Sequence, residues 1–462
     1  MPYSTAVSPG TDVKVNLTVS IRFFRVNCKR AKGRHEQAGG ATRHPVYGLF
    51  FLTDLTILKF QYIPFYRKKL KKESVKNHAV CIAFLGIICL PAALTLAKAC
   101  HLTKRNFGGN LSGYFESHEK ISFSCRSYAD REYQKKFESF LSDTIAMRGY
   151  YIRIYNQIQY SLFRLSSRII GHNGDIFEMP YIATECGLSP EYDFSIPEQR
   201  QQLEEYVDHL ESIQRKLEKL GKHFIFYITP SKAAVNFTDI PAKYRLKKPE
   251  GFKAPYFTLK ELLLQKNICF LDGRDFFSTD GTPDFYPTGI HWARPIEQRV
   301  SRALVEKMAA LTGKNIPRII LKDLQLSDEP YRRDADVFEL MNILTKPHGS
   351  YYEYEAEIAA AADSSTPRFL LQGGSFSDGF FFFDYEGIAP DSLQFLYDSS
   401  YRTSDGSLFP LASWDDMDFA ALIDAVDVVL IELNEAVIAN FSNGFAAYLD
   451  NQLDSCTQRT IR

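Results

Sequence analysis

The feature that most restricts this chain is a run of nineteen residues without a charge, Ala79 to Ala97, set behind a basic cluster. The cluster comprises Arg67, Lys68, Lys69, Lys71, Lys72 and Lys76. About 20 apolar residues cross the hydrocarbon of a bilayer as a helix, and flanking basic residues stay on the cytoplasmic side. The pattern predicts one transmembrane anchor over residues 76–99, with the body beyond it outside the cytoplasm. Ala97-Lys98-Ala99 has the small-x-small form of a signal cleavage site, but the run exceeds the ~7–15 residues of a usual signal core. An uncleaved anchor is therefore the expectation. Residues 1–75 mix glycine, basic side chains and short apolar pieces without a sustained period, which predicts a basic tail, poorly structured or cytoplasmic. Within it, Asp54, Lys59 and Pro64 argue against a second span.

Charge is divided in the same place. The formal net charge is zero, yet residues 1–98 carry 16 Lys+Arg against 4 Asp+Glu, and residues 99–462 carry 39 against 51. A basic head on an acidic body suits a membrane-facing tail and excludes a nucleic-acid-binding body. The eight cysteines form no CxxC pair and share no ligand spacing with histidine, so neither a zinc site nor a disulfide framework is expected.

Beyond a linker over residues 100–136, the body (137–462) alternates between helical and strand patterns. Phe137, Phe140, Leu141 and Ile145, then Ile152, Ile154, Tyr155 and Ile158, recur at helical spacing, which predicts one or two amphipathic helices. IIGHNGDIF (169–177) predicts a hairpin turning at Asn173-Gly174. A charged helix follows from Pro197 to Gly221, then a buried strand HFIFYIT, a helix near 256–266, a strand at 268–272 and a helix near 295–311. The stretch 326–365 reads as polar and irregular apart from an Ala-rich piece. Further strands are expected near 369–371, 393–397 and 426–435, and helices near 415–425 and 436–450. Alternation of this kind predicts an α/β domain with a mostly parallel sheet.

The stretch FLLQGGSFSDGF (369–380) is the chemical focus. A short apolar strand ends in Gly373 and Gly374, which permit a tight turn, and Ser375 stands at its top, with Ser377 or Asp378 placed to cap a following helix. A nucleophilic serine is displayed in this way, with backbone N–H groups beneath the developing oxyanion. Such a serine needs a base, and His291 in FYPTGIHW, in a loop just before a helix, is the candidate. Asn434 is a candidate oxyanion amide, and Trp292, Tyr397, Tyr401 and Trp414 are aromatics whose faces can stack on a bound ring, although core packing or a strand-end turn is the ordinary role of each.

Taken in order, RGYYIRIYNQIQYSLF, GHNGDIFEMPYI, FYITPSKAAV, GIHW, QGGSFSD and LIELNE resemble the markers of the alginate O-acetyltransferase type of SGNH-hydrolase-like protein, over about residues 137–450. The resemblance implies an α/β/α sandwich in which Ser375 accepts an acetyl group with His291 as base and passes it to a polysaccharide hydroxyl. It further implies a membrane-bound O-acyltransferase as the donor partner, no cofactor and no metal, and Lys232 in a loop near the substrate groove.

Two positions depart from that pattern. The family aspartate two residues before the histidine is Gly289 here, and Gly374 precedes the serine. Asp284, Asp280 or Asp272 are the candidates to orient His291 instead; a Ser–His dyad is the alternative. The same serine and histidine would serve a polysaccharide acetyl esterase, and Gly289 motivates a third reading, a non-catalytic glycan-binding or scaffold subunit.

Overall fold

The computed structural model describes residues 72–103, 109–114, 122–279, 281–360, 363–377, 380, 388, 392–403 and 405–460. The chain divides into two compact units, Met1–Thr103 and Lys104–Arg462. In the first, Lys72–Ala99 is a 28-residue helix. Its His78–Ala99 portion is long and apolar enough to cross a membrane, and its apolar side chains are almost all exposed. Pro91 lies inside this helix, and Thr95 Oγ1 donates to its carbonyl at 2.7 Å. The expected tail over residues 1–75 lies almost wholly outside the described residues.

The second unit begins with helices Glu132–Thr144 and Arg148–Phe163 and the short hairpin β1 (Ile169–Ile170) and β2 (Ile176–Phe177). Its main strands are β3 (His223–Thr229), β4 (Phe270–Asp272), β7 (Phe369–Gly373), β8 (Leu393–Leu396), β9 (Ser400–Thr403), β10 (Leu408–Pro410) and β11 (Val428–Asn434). Between β4 and β7 lie β5 (Arg318–Ser327) and β6 (Tyr351–Ala359). The main sheet has seven strands in the order β10-β9-β8-β7-β11-β3-β4. From β8 to β4 every pairing is parallel, and β9 and β10 extend the edge antiparallel.

Both faces of this sheet are covered, so its central strands are continuous apolar runs. On β3, Phe224, Phe226 and Ile228 face one core and Ile225 and Tyr227 the other. Helix Pro197–Lys219 packs on the first core through Leu203, Tyr206, Val207, Leu210, Ile213 and Leu217, all buried. Their spacing of three and four is the stripe that a helix needs; proline stands at its start and Gly221, with φ +69°, just past its end. Helices Pro255–Gln265, Phe419–Ala425 and Phe445–Thr460 share that face, and Arg294–Thr312 covers the other. The expected α/β/α layering is present.

Two segments differ from expectation. The stretch read as irregular contains β6, paired antiparallel to β5. Its YYEYEAEIA has glutamates at every second position, a period of two that its polarity obscures. The last helix is Phe445–Thr460, not 436–450, because Phe441, Ser442 and Asn443 adopt positive φ and break the helical path ahead of it.

Candidate active site

Ser375 follows β7 at the carboxyl end of the parallel strands, where the sequence of strand, two glycines and serine places it. A Cβ on Gly373 would lie 2.5 Å from Ser377 Oγ and 2.9 Å from Glu432 Oε2, and one on Gly374 would lie 3.2 Å from the Tyr397 ring. The turn is therefore tight by necessity. Ser377 secures it, its Oγ and N–H donating to the Gly374 carbonyl at 2.7 and 3.1 Å. Asp378, the other expected cap, lies outside the described residues.

His291 Nε2 is 2.8 Å from Ser375 Oγ, and its Nδ1 is 2.7 Å from Asp336 Oδ2. The imidazole is buried, with its ring centroid 4.6 Å from that of Phe376. Serine, histidine and aspartate thus form a continuous relay. Burial works to raise the Asp336 carboxyl, but His291, the Ile290 N–H and the Arg333 guanidinium outweigh it and hold the group below the usual carboxylate range. Asp336 Oδ1 also accepts from the N–H groups of Ile290 and Val337, at 2.9 and 2.8 Å. Two residues earlier, Asp334 behaves oppositely. Its burial, and next the Glu297 carboxylate, push it up to about 8.

Neither of the two proposed orienting acids among the described residues takes this place. Asp284 Oδ1 accepts the Ser278 N–H at 2.7 Å and tightens its own loop. Asp272 accepts from Lys260 at 2.6 Å and from the Tyr256 hydroxyl at 2.7 Å. Asp280 lies outside the described residues. Gly289 explains the change of acid. A Cβ there would stand 2.8 Å from the Asp334 carbonyl oxygen and 2.9 Å from that of Arg333. The glycine admits the backbone of the segment that delivers Asp336. Thr288 locks the contact, its Oγ1 donating to the Asp334 carbonyl at 2.6 Å and its own carbonyl accepting the Phe338 N–H at 3.0 Å.

Lys232 lines no groove. Its side chain is fully buried, and Nζ donates to the carbonyls of Tyr286 and Gly289 at 2.8 Å, Pro287 at 3.0 Å and Ile176 at 3.2 Å. Burial pushes the amine down to about 8 against the opposing pull of Asp175, 3.3 Å away. It fastens the loop that leads to His291. Asn434 likewise points inward, donating to the Thr229 and Pro230 carbonyls at 3.3 and 3.1 Å and capping the next turn at Ala436 N. Trp292 is buried in the second core, edge-on to Phe376, and reaches the pocket only as part of its wall. Trp414 and Tyr401 pack against the first core.

Four groups near the serine were not singled out from sequence as parts of its machinery: Asp336, Arg333, Glu432 and the Tyr397 hydroxyl. Arg333 Nη1 donates to the Ser375 carbonyl and lies 3.4 Å from His291 Nε2. Glu432, buried on β11, accepts the Gly374 N–H at 2.7 Å and the Thr229 hydroxyl. Burial pushes its carboxyl up to about 7, although both hydrogen bonds pull the other way. The Tyr397 hydroxyl accepts the Ser375 N–H at 3.0 Å. The Gly374 and Ser375 N–H groups are therefore both engaged in this state. A carboxylate inside the apolar run VVLIELN was the legible signal for Glu432.

A shallow cleft adjoins Ser375 and is walled by Tyr331, Arg332, Arg333, Arg294 and Trp292. Among the described residues no cluster of three His, Cys, Asp or Glu side chains is arranged to hold a metal.

No family profile matches the chain, and no curated protein matches it by sequence. Among solved structures it is similar to the O-acetyltransferase domain of Pseudomonas putida AlgJ, at 16% identity and a TM-score of 0.39, over 62% of this chain and 99% of that one. It is similar to Pseudomonas aeruginosa AlgX at 14% identity and a TM-score of 0.36, over 62% and 70%. It is also similar to Bacillus cereus PatB1 at 11% identity and a TM-score of 0.30, over 52% and 90%.

Proposed function

We propose that the protein is a membrane-anchored O-acetyltransferase that acts outside the cytoplasm, moving an acetyl group through Ser375 to hydroxyls of an exopolysaccharide. The observation that carries this reading is the relay from Ser375 Oγ through His291 to Asp336, at 2.8 and 2.7 Å. It supports acyl transfer; the acetyl group, the sugar acceptor and a membrane-bound O-acyltransferase as donor partner come from the motif order in the sequence. The helix ending at Ala99 supports the anchor, with the basic cluster from Arg67 on the cytoplasmic side.

In the first half-reaction Ser375 Oγ attacks the acetyl carbonyl as its proton passes to His291 Nε2, and the donor's leaving group departs with that proton. Asp336 fixes the imidazole tautomer and stabilises the imidazolium. The oxyanion takes the Ser375 N–H from the Tyr397 hydroxyl, which turns its own proton to the same oxygen. In the second half a sugar hydroxyl attacks the acetyl-serine and gives its proton to His291, which returns it to Ser375 Oγ. Asp336 beside His291 supports this reading over a non-catalytic subunit, the alternative that the glycine at position 289 motivates.

The test is acetylation by p-nitrophenyl acetate, followed by intact mass on the wild type, Ser375→Ala and His291→Ala. An adduct on the wild type alone is expected; an adduct that persists in Ser375→Ala overturns the assignment. Acetyl release into water is then followed with and without acceptor glycan. Diversion of acetyl from water to the glycan is expected, and hydrolysis unchanged by saturating glycan would convert the reading to an esterase.

A further inference from the structure

Two helices near the start of the second unit leave their apolar stripes open. Phe137, Phe140 and Leu141 on Glu132–Thr144 are 43–45% exposed, and Ile154, Ile158 and Leu162 on Arg148–Phe163 are 43–71% exposed. Spacings of three and four put each set on one face. None of the residues of the first helix is buried, and in the second only Gly149 is. The second helix docks by its other side, through Tyr160, which packs against Ile176, Ile290, Val337 and Met341, and through its amides. Asn156 Nδ2 donates to the Met341 carbonyl at 2.9 Å, and Gln157 Oε1 accepts the N–H groups of Leu344 and Thr345 at 3.0 Å. A helix docked by one edge with the Ile154, Ile158 and Leu162 stripe left outward differs from Pro197–Lys219, whose stripe is buried in the core.

Charge and chain continuity identify what the stripes meet. Residues 123–168 carry 8 Lys+Arg against 4 Asp+Glu, whereas residues 169–462 carry 28 against 45. The part with the open apolar stripes is thus net basic, whereas the rest of the body taken together is acidic. Apolar and aromatic residues beside arginine and lysine are the composition of a helix that lies in a bilayer interface. The chain reaches these helices soon after the apolar helix ends at Ala99; residues 100–122 extend to about 80 Å at most. A second copy of the chain is a poorer occupant, because a two-fold contact would oppose basic helix to basic helix.

We propose that Glu132–Thr144 and Arg148–Phe163 lie on an anionic lipid surface, with their apolar stripes among the headgroups and acyl boundary. The full chain is reconstituted into phosphatidylcholine vesicles containing phosphatidylglycerol, with part of the lipid brominated in its acyl chains. Tryptophan fluorescence is compared for Ile158→Trp and, as control, Leu264→Trp, which is 59% exposed beside the amino end of β4. Both sites are exposed, and helical circular dichroism equal to the parent's verifies folding. Quenching at least about twofold greater at position 158, and reduced in vesicles without phosphatidylglycerol, is expected for interfacial insertion that charge assists. Equal quenching at both positions overturns the proposal, and equal quenching at position 158 in uncharged vesicles overturns the anionic surface. Sedimentation in detergent supplies the other arm: a dimer that Ile158→Ser abolishes would assign the stripe to a second copy instead.

Discussion

The two halves of the candidate site are held by opposite kinds of buried hydrogen-bonding group. Beneath the histidine loop a single buried amine, Lys232, gathers the carbonyls of Ile176, Tyr286, Pro287 and Gly289. Beneath the serine turn a single buried carboxyl, Glu432, accepts the Gly374 N–H and the Thr229 hydroxyl. The histidine loop turns its carbonyls inward and needs a donor with no acceptor; the serine turn presents an N–H and needs the reverse. Each buried group is chosen by the backbone that it must satisfy, and neither has to meet substrate.

The largest test of this comparison lies where the histidine half meets its acid. Asp336→Asn should keep the fold and lower the acetylation rate by about 10⁴, because the imidazole loses its tautomer and its counter-charge; single-turnover kinetics measure it. A loss under tenfold would return the site to a Ser–His dyad. Next comes Lys232→Met. It leaves four inward carbonyls and Asp175 without their cation, a change that costs about 3–5 kcal/mol in a buried pair and should appear as an earlier denaturant midpoint. Gly289→Ala is expected to be milder, about 1–3 kcal/mol for overpacking, but to slow acetylation out of proportion, since its Cβ pushes on the segment that carries Asp336.

The smallest effect is at Glu432, where Gln keeps both contacts. The folded carboxyl titrates at about 7 and the unfolded one near 4.5, so the folded state binds the extra proton between those values. Its contribution to stability is complete below 4.5 and is lost as pH rises through 7. Glu432→Gln should therefore flatten the fall in melting temperature between pH 5 and 8, by the equivalent of roughly 1–3 kcal/mol. A slope unchanged by Gln would place the titration elsewhere.

Much of the sheet was legible because its strands are short apolar runs closed by glycine, proline or a polar turn; Ser375 was singled out because it stands where such a strand ends, and His291 because it stands in the loop that opens a helix. Asp336 was not. It lies 45 residues from His291, in a segment with neither helical nor strand period, and only the tertiary contact at Gly289 reveals its task. Lys232 was placed on the wrong side of its loop, because a lysine after a strand gives no sign of whether carbonyls or solvent await its amine. The open stripes of the early helices were read correctly as amphipathic, but periodicity does not say what covers them.

Distance along the chain between base and acid has a consequence for when the protein becomes reactive. An aspartate two residues from its histidine can be aligned by a local turn while the rest of the molecule is still unfolded. Here alignment waits until the Arg333–Phe338 segment has closed a loop back onto Thr288 and Gly289. The serine of a partly folded chain therefore stays without an aligned histidine, and the relay is complete only with the finished fold.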